Sequence, residues 1–202
     1  MRYSCGDIPN HTETFITDLW PDLIATCGSL NMQIVSYENN PENAREILSN
    51  LGKDIDIVVG NYSEKTKNYP GCSATYLYYV PLRLAVSKRN PLSQKDSLTW
   101  ADLDGHTVWL NSTSWIDDIT QIKEEILDNH PKVKIEEFPF FDVQIFNKIV
   151  GSNDVLVGVD AWEFIHPLVT MKPMEWKYIS PMCIYHNEQP SETVQYVLDK
   201  AV

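Results

Sequence analysis

Two short apolar runs restrict the fold of this chain more than anything else in it: Asp54-Ile55-Asp56-Ile57-Val58-Val59-Gly60 and, far downstream, Val155-Leu156-Val157-Gly158-Val159 behind Asp154. Each holds a compact apolar stretch, Ile57-Val58-Val59 in the first and Val155-Leu156-Val157 in the second, and reads as a strand buried on both faces of a parallel sheet. What precedes the first run is β/α alternation. Residues 2–6 are strand-like, the polar turn 7–12 is a plausible helix N-cap, and Phe15, Leu19, Leu23 and Ile24 recur at helical spacing. Residues 32–38 then alternate as a strand does. A second helix enters through Asn40-Pro41, carries Ala44, Ile47, Leu48 and Leu51 on one face, and stops at Gly52, a natural C-terminal cap.

The same order precedes the second run. Residues 61–75 read as a loop with no regular element, and residues 76–86 as a strong strand interrupted by Pro81. Proline cannot donate to a sheet ladder, so Pro81 is expected between two strand segments, at a lobe boundary. Beyond it come a strand at 82–87, a capped helical turn at 99–103, a strand at 107–110 and a helix with Ile119, Ile122 and Ile126 on one face. A strand at 133–138 and a helix with Ile145, Phe146 and Ile149 inward complete the unit. Two β/α units of like design predict an α/β fold of two Rossmann-like lobes. A leftover strand at 178–185 and a helix at 191–201, with Val194, Val197 and Leu198 inward, would return to the first lobe. Two crossings make a hinge, with a ligand cleft between the lobes.

Composition limits the function. With 202 residues, 43% of them hydrophobic, the chain can bury a substantial core. A net charge of -12 repels phosphate backbones, and the basic clusters Lys88-Arg89 and 132–134 are too short for a nucleic-acid patch, so these residues alone should not bind DNA. No run of about 18 apolar residues is present to span a bilayer, and no signal-peptide pattern opens the chain; a cytoplasmic protein is expected. Cys5, Cys27, Cys72 and Cys183 show no CxxC spacing and read as reduced thiols rather than as a disulfide or metal set.

No nucleophile-elbow, metal, P-loop or dinucleotide motif occurs, so no catalytic residue, metal or cofactor is expected. His106, His130, His166 and His186 fall in turns and at element ends and read as surface histidines. His11, between Asn10 and Thr12 at a helix mouth, has two readings: a cap, or a clamp for a carboxylate or phosphate. The run Asn111-Ser112-Thr113-Ser114 opens the second-lobe helix in the same way, and ordinary N-capping competes there with ligand binding. Trp115 is a cleft wall or a core anchor; Asp117, Asp118, Glu124, Glu125 and Asp128 read as a solvated helix face.

Five strings, in order, resemble the effector-binding domain of LysR-type transcriptional regulators, which has the type 2 periplasmic-binding-protein fold. Leu19-Trp20-Pro21-Asp22-Leu23 is similar to the family's LLPxLL helix, and Leu51-Gly52-Lys53-Asp54-Ile55-Asp56-Ile57 to its LxxGxLDLAI segment. Asn90-Pro91-Leu92 stands where HPLA is usual, Trp100-Ala101-Asp102-Leu103-Asp104-Gly105 matches LADLAG, and Ile149-Val150-Gly151-Ser152-Asn153-Asp154-Val155 corresponds to VAAGLGV with both later glycines altered. The resemblance covers nearly the whole chain. It implies a first lobe of residues 1–80 and 180–202, a second of 81–179, and a winged helix-turn-helix DNA-binding domain preceding residue 1. It implies that Asn10, His11, Thr12, Asn39, Asn40, Asn61, Ser112, Thr113, Phe141 and Asp142 hold a small-molecule effector, often an organic acid or metabolite. It also implies an antiparallel homodimer, helix 12–25 and strand 32–38 meeting the partner's helix 119–129 and strand 133–138, and a tetramer of the full-length protein that touches DNA only through the preceding domain. The alternative on the same fold is the solute-binding protein of a transporter; an enzyme is the third and least supported reading.

Overall fold

The computed structural model describes residues 2–6, 21, 25, 33–37, 41–112, 117–139 and 143–201. Their contacts gather into two compact units, Met1–Tyr79 with Pro181–Val202, and Val80–Ser180.

In the first unit β1 (Arg2–Gly6) lies parallel to both β2 (Gln33–Tyr37) and β3 (Ile57–Asn61). On the other side of β3 runs the antiparallel β9 (Ile179–Asn187), Val58 opposite Tyr185 and Asn61 opposite Met182. Side chains along β3 alternate between two cores. Ile57 and Val59 join Ile184 and, from α5 (Glu192–Ala201), Val194, Val197 and Leu198. Val58 turns to the opposite face, against Cys183, Tyr185 and, from α1 (Pro41–Ser49), Ile47 and Leu48. Helices cover both faces, which is why β3 has no polar alternation. The helix expected to stop at Gly52 ends at Ser49 instead; Gly52, with φ at +79°, lies in the turn beyond it, its N–H donating to Ile55 O at 2.8 Å, and a Cβ there would stand 2.8 Å from Asn187 Nδ2.

The second unit repeats the plan. Parallel β5 (Thr107–Asn111), β6 (Lys134–Phe138) and β7 (Val155–Val159) are joined by the antiparallel later half of β4 (Cys72–Ser87), which also pairs with β8 (Val169–Lys172). One face packs Leu84, Val86, Val108, Leu110, Val155 and Val157 under Ile119, Ile122 and Ile126 of α3 (Asp117–Asn129). Ala85 and Leu156, paired in register, turn the other way, the side closed by α4 (Val143–Gly151) with Ile145, Phe146 and Ile149 buried.

Several local readings are corrected. Residues 61–75 contain α2 (Glu64–Lys67), whose cap Ser63 accepts the Lys65 N–H at 3.2 Å. A single turn is too short to show periodicity. Pro81 does not break β4. The Leu82 N–H donates to Tyr178 O at 3.1 Å, so the neighbouring Pro81 nitrogen faces the opposite side, where the β7 ladder starts only at Leu82. His186 is no surface turn residue: it is buried within β9, with Nε2 3.1 Å from Thr75 Oγ1 and Nδ1 2.8 Å from Asn187 O. β8 and the 3-10 turns Pro91–Gln94 and Asp160–Phe164 carry no counterpart in the sequence reading.

Candidate functional site

Parallel strands put all their carboxyl ends on one edge, and in open α/β sheets ligands bind outside that edge. In the first unit the chain leaves that edge after Gly6, Tyr37 and Asn61, and the predicted site residues 10–12, 39–40 and 61 follow those three exits. In the second unit it leaves after Asn111 and Phe138, and residues 112–113 and 141–142 follow. Of the ten, the structure describes Asn61 and Ser112; Asn10, His11, Thr12, Asn39, Asn40, Thr113, Phe141 and Asp142 lie outside the described residues, as do Trp115 and most of helix 12–25.

The two described exits are held differently. At β5 the Ser112 N–H and hydroxyl both donate to Phe138 O, at 2.8 and 3.1 Å, tying this exit to that of β6. Asn111, just before it, is buried. At β3 the Tyr62 N–H donates to Pro181 O at 2.7 Å, while the Tyr185 hydroxyl donates to Asn61 O and accepts the Ser63 N–H, both at 2.8 Å. The Tyr62 hydroxyl donates to the Glu64 carboxylate, and its ring lies 4.7 Å from that of Tyr76. Burial raises both phenols, Tyr62 and Tyr185, well above the ordinary tyrosine range, so they act as neutral hydrogen-bonding groups.

Helix α3 opens with Asp117 and Asp118, whose charges complement the positive end of its dipole. Burial raises the Asp118 carboxyl; its own backbone N–H and the Ser180 hydroxyl hydrogen-bond to it and oppose the rise, while Asp117 adds to it. The sequence places Asp118 on a solvated face and gives Tyr62 and Tyr185 no role, because Ser180 beside Asp118, Pro181 at the Tyr62 N–H and the Asn61–Ser63 turn at Tyr185 are all distant in the chain from the residue they meet.

Among the described residues no group of three or more His, Cys, Asp or Glu is arranged to hold a metal ion, and Cys72 and Cys183 are free buried thiols. No described helix is long and apolar enough to cross a membrane. A recess of about 210 Å³ between Gly52, Asp56, Asn187 and Ser191 lies at the amino end of β3, the edge away from Asn61. Its side chains are committed internally: Asn187 Nδ2 donates to Leu51 O, Asn187 Oδ1 accepts from Gln189 N, and Ser191 Oγ accepts from Val194 N.

No protein-family model matches the chain, and no curated protein sequence matches it. Solved structures do. The effector-binding domain of QuiR in complex with shikimate superposes with a TM-score of 0.75 at 14% identity, over 100% of this chain and 94% of that one. The BenM effector-binding domain with its effector benzoate gives 0.68 at 20% identity, over 100% and 89%. Full-length CbnR complexed with its target DNA gives 0.73 at 9% identity, over 99% of this chain and 66% of that one. The structural relatives are effector-binding domains of LysR-type regulators, and the fold is the type 2 periplasmic-binding-like α/β fold of those domains.

Proposed function

We propose that this chain is the effector-sensing domain of a LysR-type transcription regulator, without catalytic chemistry of its own. A small organic acid or related metabolite is held by residues at the carboxyl ends of the parallel strands, Asn61 and Ser112 among them. Its occupancy alters how a winged helix-turn-helix domain outside these residues sits on DNA. One observation carries the reading: the fold is matched end to end, over 100% of this chain and about nine-tenths of isolated effector-binding domains that hold shikimate or benzoate. A -12 chain gains nothing by touching DNA itself, which fits a division of labour between sensing and DNA-binding domains. A sensor that acts on DNA works in the cytoplasm.

Coupling requires that the effector bind one arrangement better than another, by typically ~1–3 kcal/mol. Self-association as an antiparallel homodimer is part of the proposal. What supports it is α3, whose Leu127 is 64% exposed, beside the edge strand β6, whose charged Lys134, Glu136 and Glu137 discourage strand-to-strand pairing and leave the helix face as the contact.

A thermal-shift screen of small metabolites against the 202-residue chain identifies the effector, since a bound ligand raises apparent stability by mass action. Calorimetry on Thr12→Val, Thr113→Val and Asn61→Ala should then show weakened binding at unchanged melting temperature. Unchanged affinity in all three removes these residues from the site. A transporter's solute-binding protein would bind a ligand equally well, but in a longer protein carrying this chain the ligand would leave operator binding unaltered.

A further inference from the structure

Asn61 ends β3, and the chain turns through Tyr62 and Ser63 into α2. The turn is stapled to β9 by groups more than a hundred residues away: the Tyr62 N–H donates to Pro181 O, and the Tyr185 hydroxyl bridges Asn61 O and the Ser63 N–H. Tyr185 is 3% exposed and shares a core with Val58, Cys72 and Cys183. Standing opposite Val58 in register, it reaches the exit of β3 with its hydroxyl end alone. A phenol offers one proton and two lone pairs, and here the proton goes to Asn61 O while a lone pair takes the Ser63 N–H.

We infer that Tyr185 is a positioning residue of the effector site: its hydroxyl fixes the exit of β3 so that Asn61 is presented to the ligand in one conformation. The ligand half of this inference rests on the sensor reading. The ring alone would serve the core equally well as phenylalanine, so the hydroxyl's contribution is to the turn. Without it the Ser63 N–H, on a residue 1% exposed, loses its acceptor and the Asn61 carbonyl its donor. A turn released at both points populates several backbone states, and apparent affinity falls with the fraction that remains competent.

The test is Tyr185→Phe in the full chain, beside Val197→Ala, which thins the opposite core without touching the turn. Residue-resolved amide exchange should show the Ser63 N–H exchanging about tenfold faster in Tyr185→Phe, with the Val59 and Ile184 amides unchanged, whereas Val197→Ala accelerates amides across the sheet. Unchanged Ser63 exchange, or uniform acceleration, overturns the positioning role. Shikimate and benzoate serve as binding probes. A probe that binds the wild type should weaken about five- to tenfold in Tyr185→Phe and less than about twofold in Val197→Ala. A probe weakened by Asn61→Ala but not by Tyr185→Phe shows that the staple does not govern presentation, and overturns the inference while leaving the sensor reading intact. If neither probe binds the wild type, the sensor reading loses these ring acids as effectors, and exchange at Ser63 still decides the role of Tyr185.

Discussion

Replacing Gly158 with alanine tests the packing of the second unit most directly. A Cβ on Gly158 would stand 2.1 Å from Trp162 Cε3 and 2.2 Å from Cζ3. Carbon atoms settle at about 3.5–4.0 Å, so the indole must retreat by roughly 1.5 Å. It has little room: Trp162 is 8% exposed and packs edge-on against Phe146, itself 1% exposed, with ring centroids 5.9 Å apart. The Gly158 backbone is held as well, being paired with Arg83 in the β4–β7 ladder. Driving the indole into solvent would expose roughly 150–250 Å², an upper bound of about 4–6 kcal/mol at 25 cal/mol per Å². Shifting the backbone instead costs about 1–3 kcal/mol. Alanine returns about 0.4–1 kcal/mol by stiffening the unfolded chain. The cheaper backbone route sets the expectation, so the net loss is about 1–2 kcal/mol, read from urea unfolding followed by circular dichroism. Gly158→Ala in a Trp162→Leu background should cost under about 1 kcal/mol, because the clashing ring atoms are gone. A loss below about 0.5 kcal/mol in the wild-type background, or additive effects in the double variant, would refute the argument.

Asp102 should make stability depend on acid pH. The Lys95 ammonium, then the Thr99 N–H at 3.0 Å, hold its carboxyl below the ordinary range, with the Thr99 hydroxyl at 3.1 Å adding to this. A lowered folded-state value means stabilisation present above the unfolded pKa, about 3.9, and lost as pH falls through the folded value. Asp102→Asn should cost about 1 kcal/mol at pH 7, with the gap to wild type narrowing in melts as pH falls below the unfolded value. The thiols of Cys72 and Cys183 are pushed by burial up to about 11 and about 12, so at pH 8 about one molecule in a thousand or fewer carries the thiolate. Peptide-resolved iodoacetamide labelling should leave both unmodified at pH 8 and modify both in urea; rapid labelling of the native chain would contradict their burial.

The element order was legible because apolar periodicity is a local property. Ile47 and Leu48, Ile119, Ile122 and Ile126, and Val194, Val197 and Leu198 announce their helices by spacing alone, and each is buried in the structure. Features set by a partner elsewhere in the chain were not legible. The continuity of β4 through Pro81 depends on which side the β7 ladder occupies. The burial of His186 depends on Thr75 across the sheet, and the one-turn α2 on a cap and on Tyr185. Among the candidate site residues, Asn61 and Ser112 stand at strand exits on the carboxyl edge, where parallel topology collects whatever follows each strand.

Sequence by itself thus determined the repeated β/α plan and which faces are apolar, because 3.6- and 2-residue periods follow from backbone geometry and the drive to bury hydrocarbon. Tertiary structure alone decided how the strand exits are held: the Tyr185 hydroxyl at Asn61 and the Phe138 carbonyl at Ser112. Those contacts are short-range and directional, and they join residues that only the folded sheet brings within 4 Å.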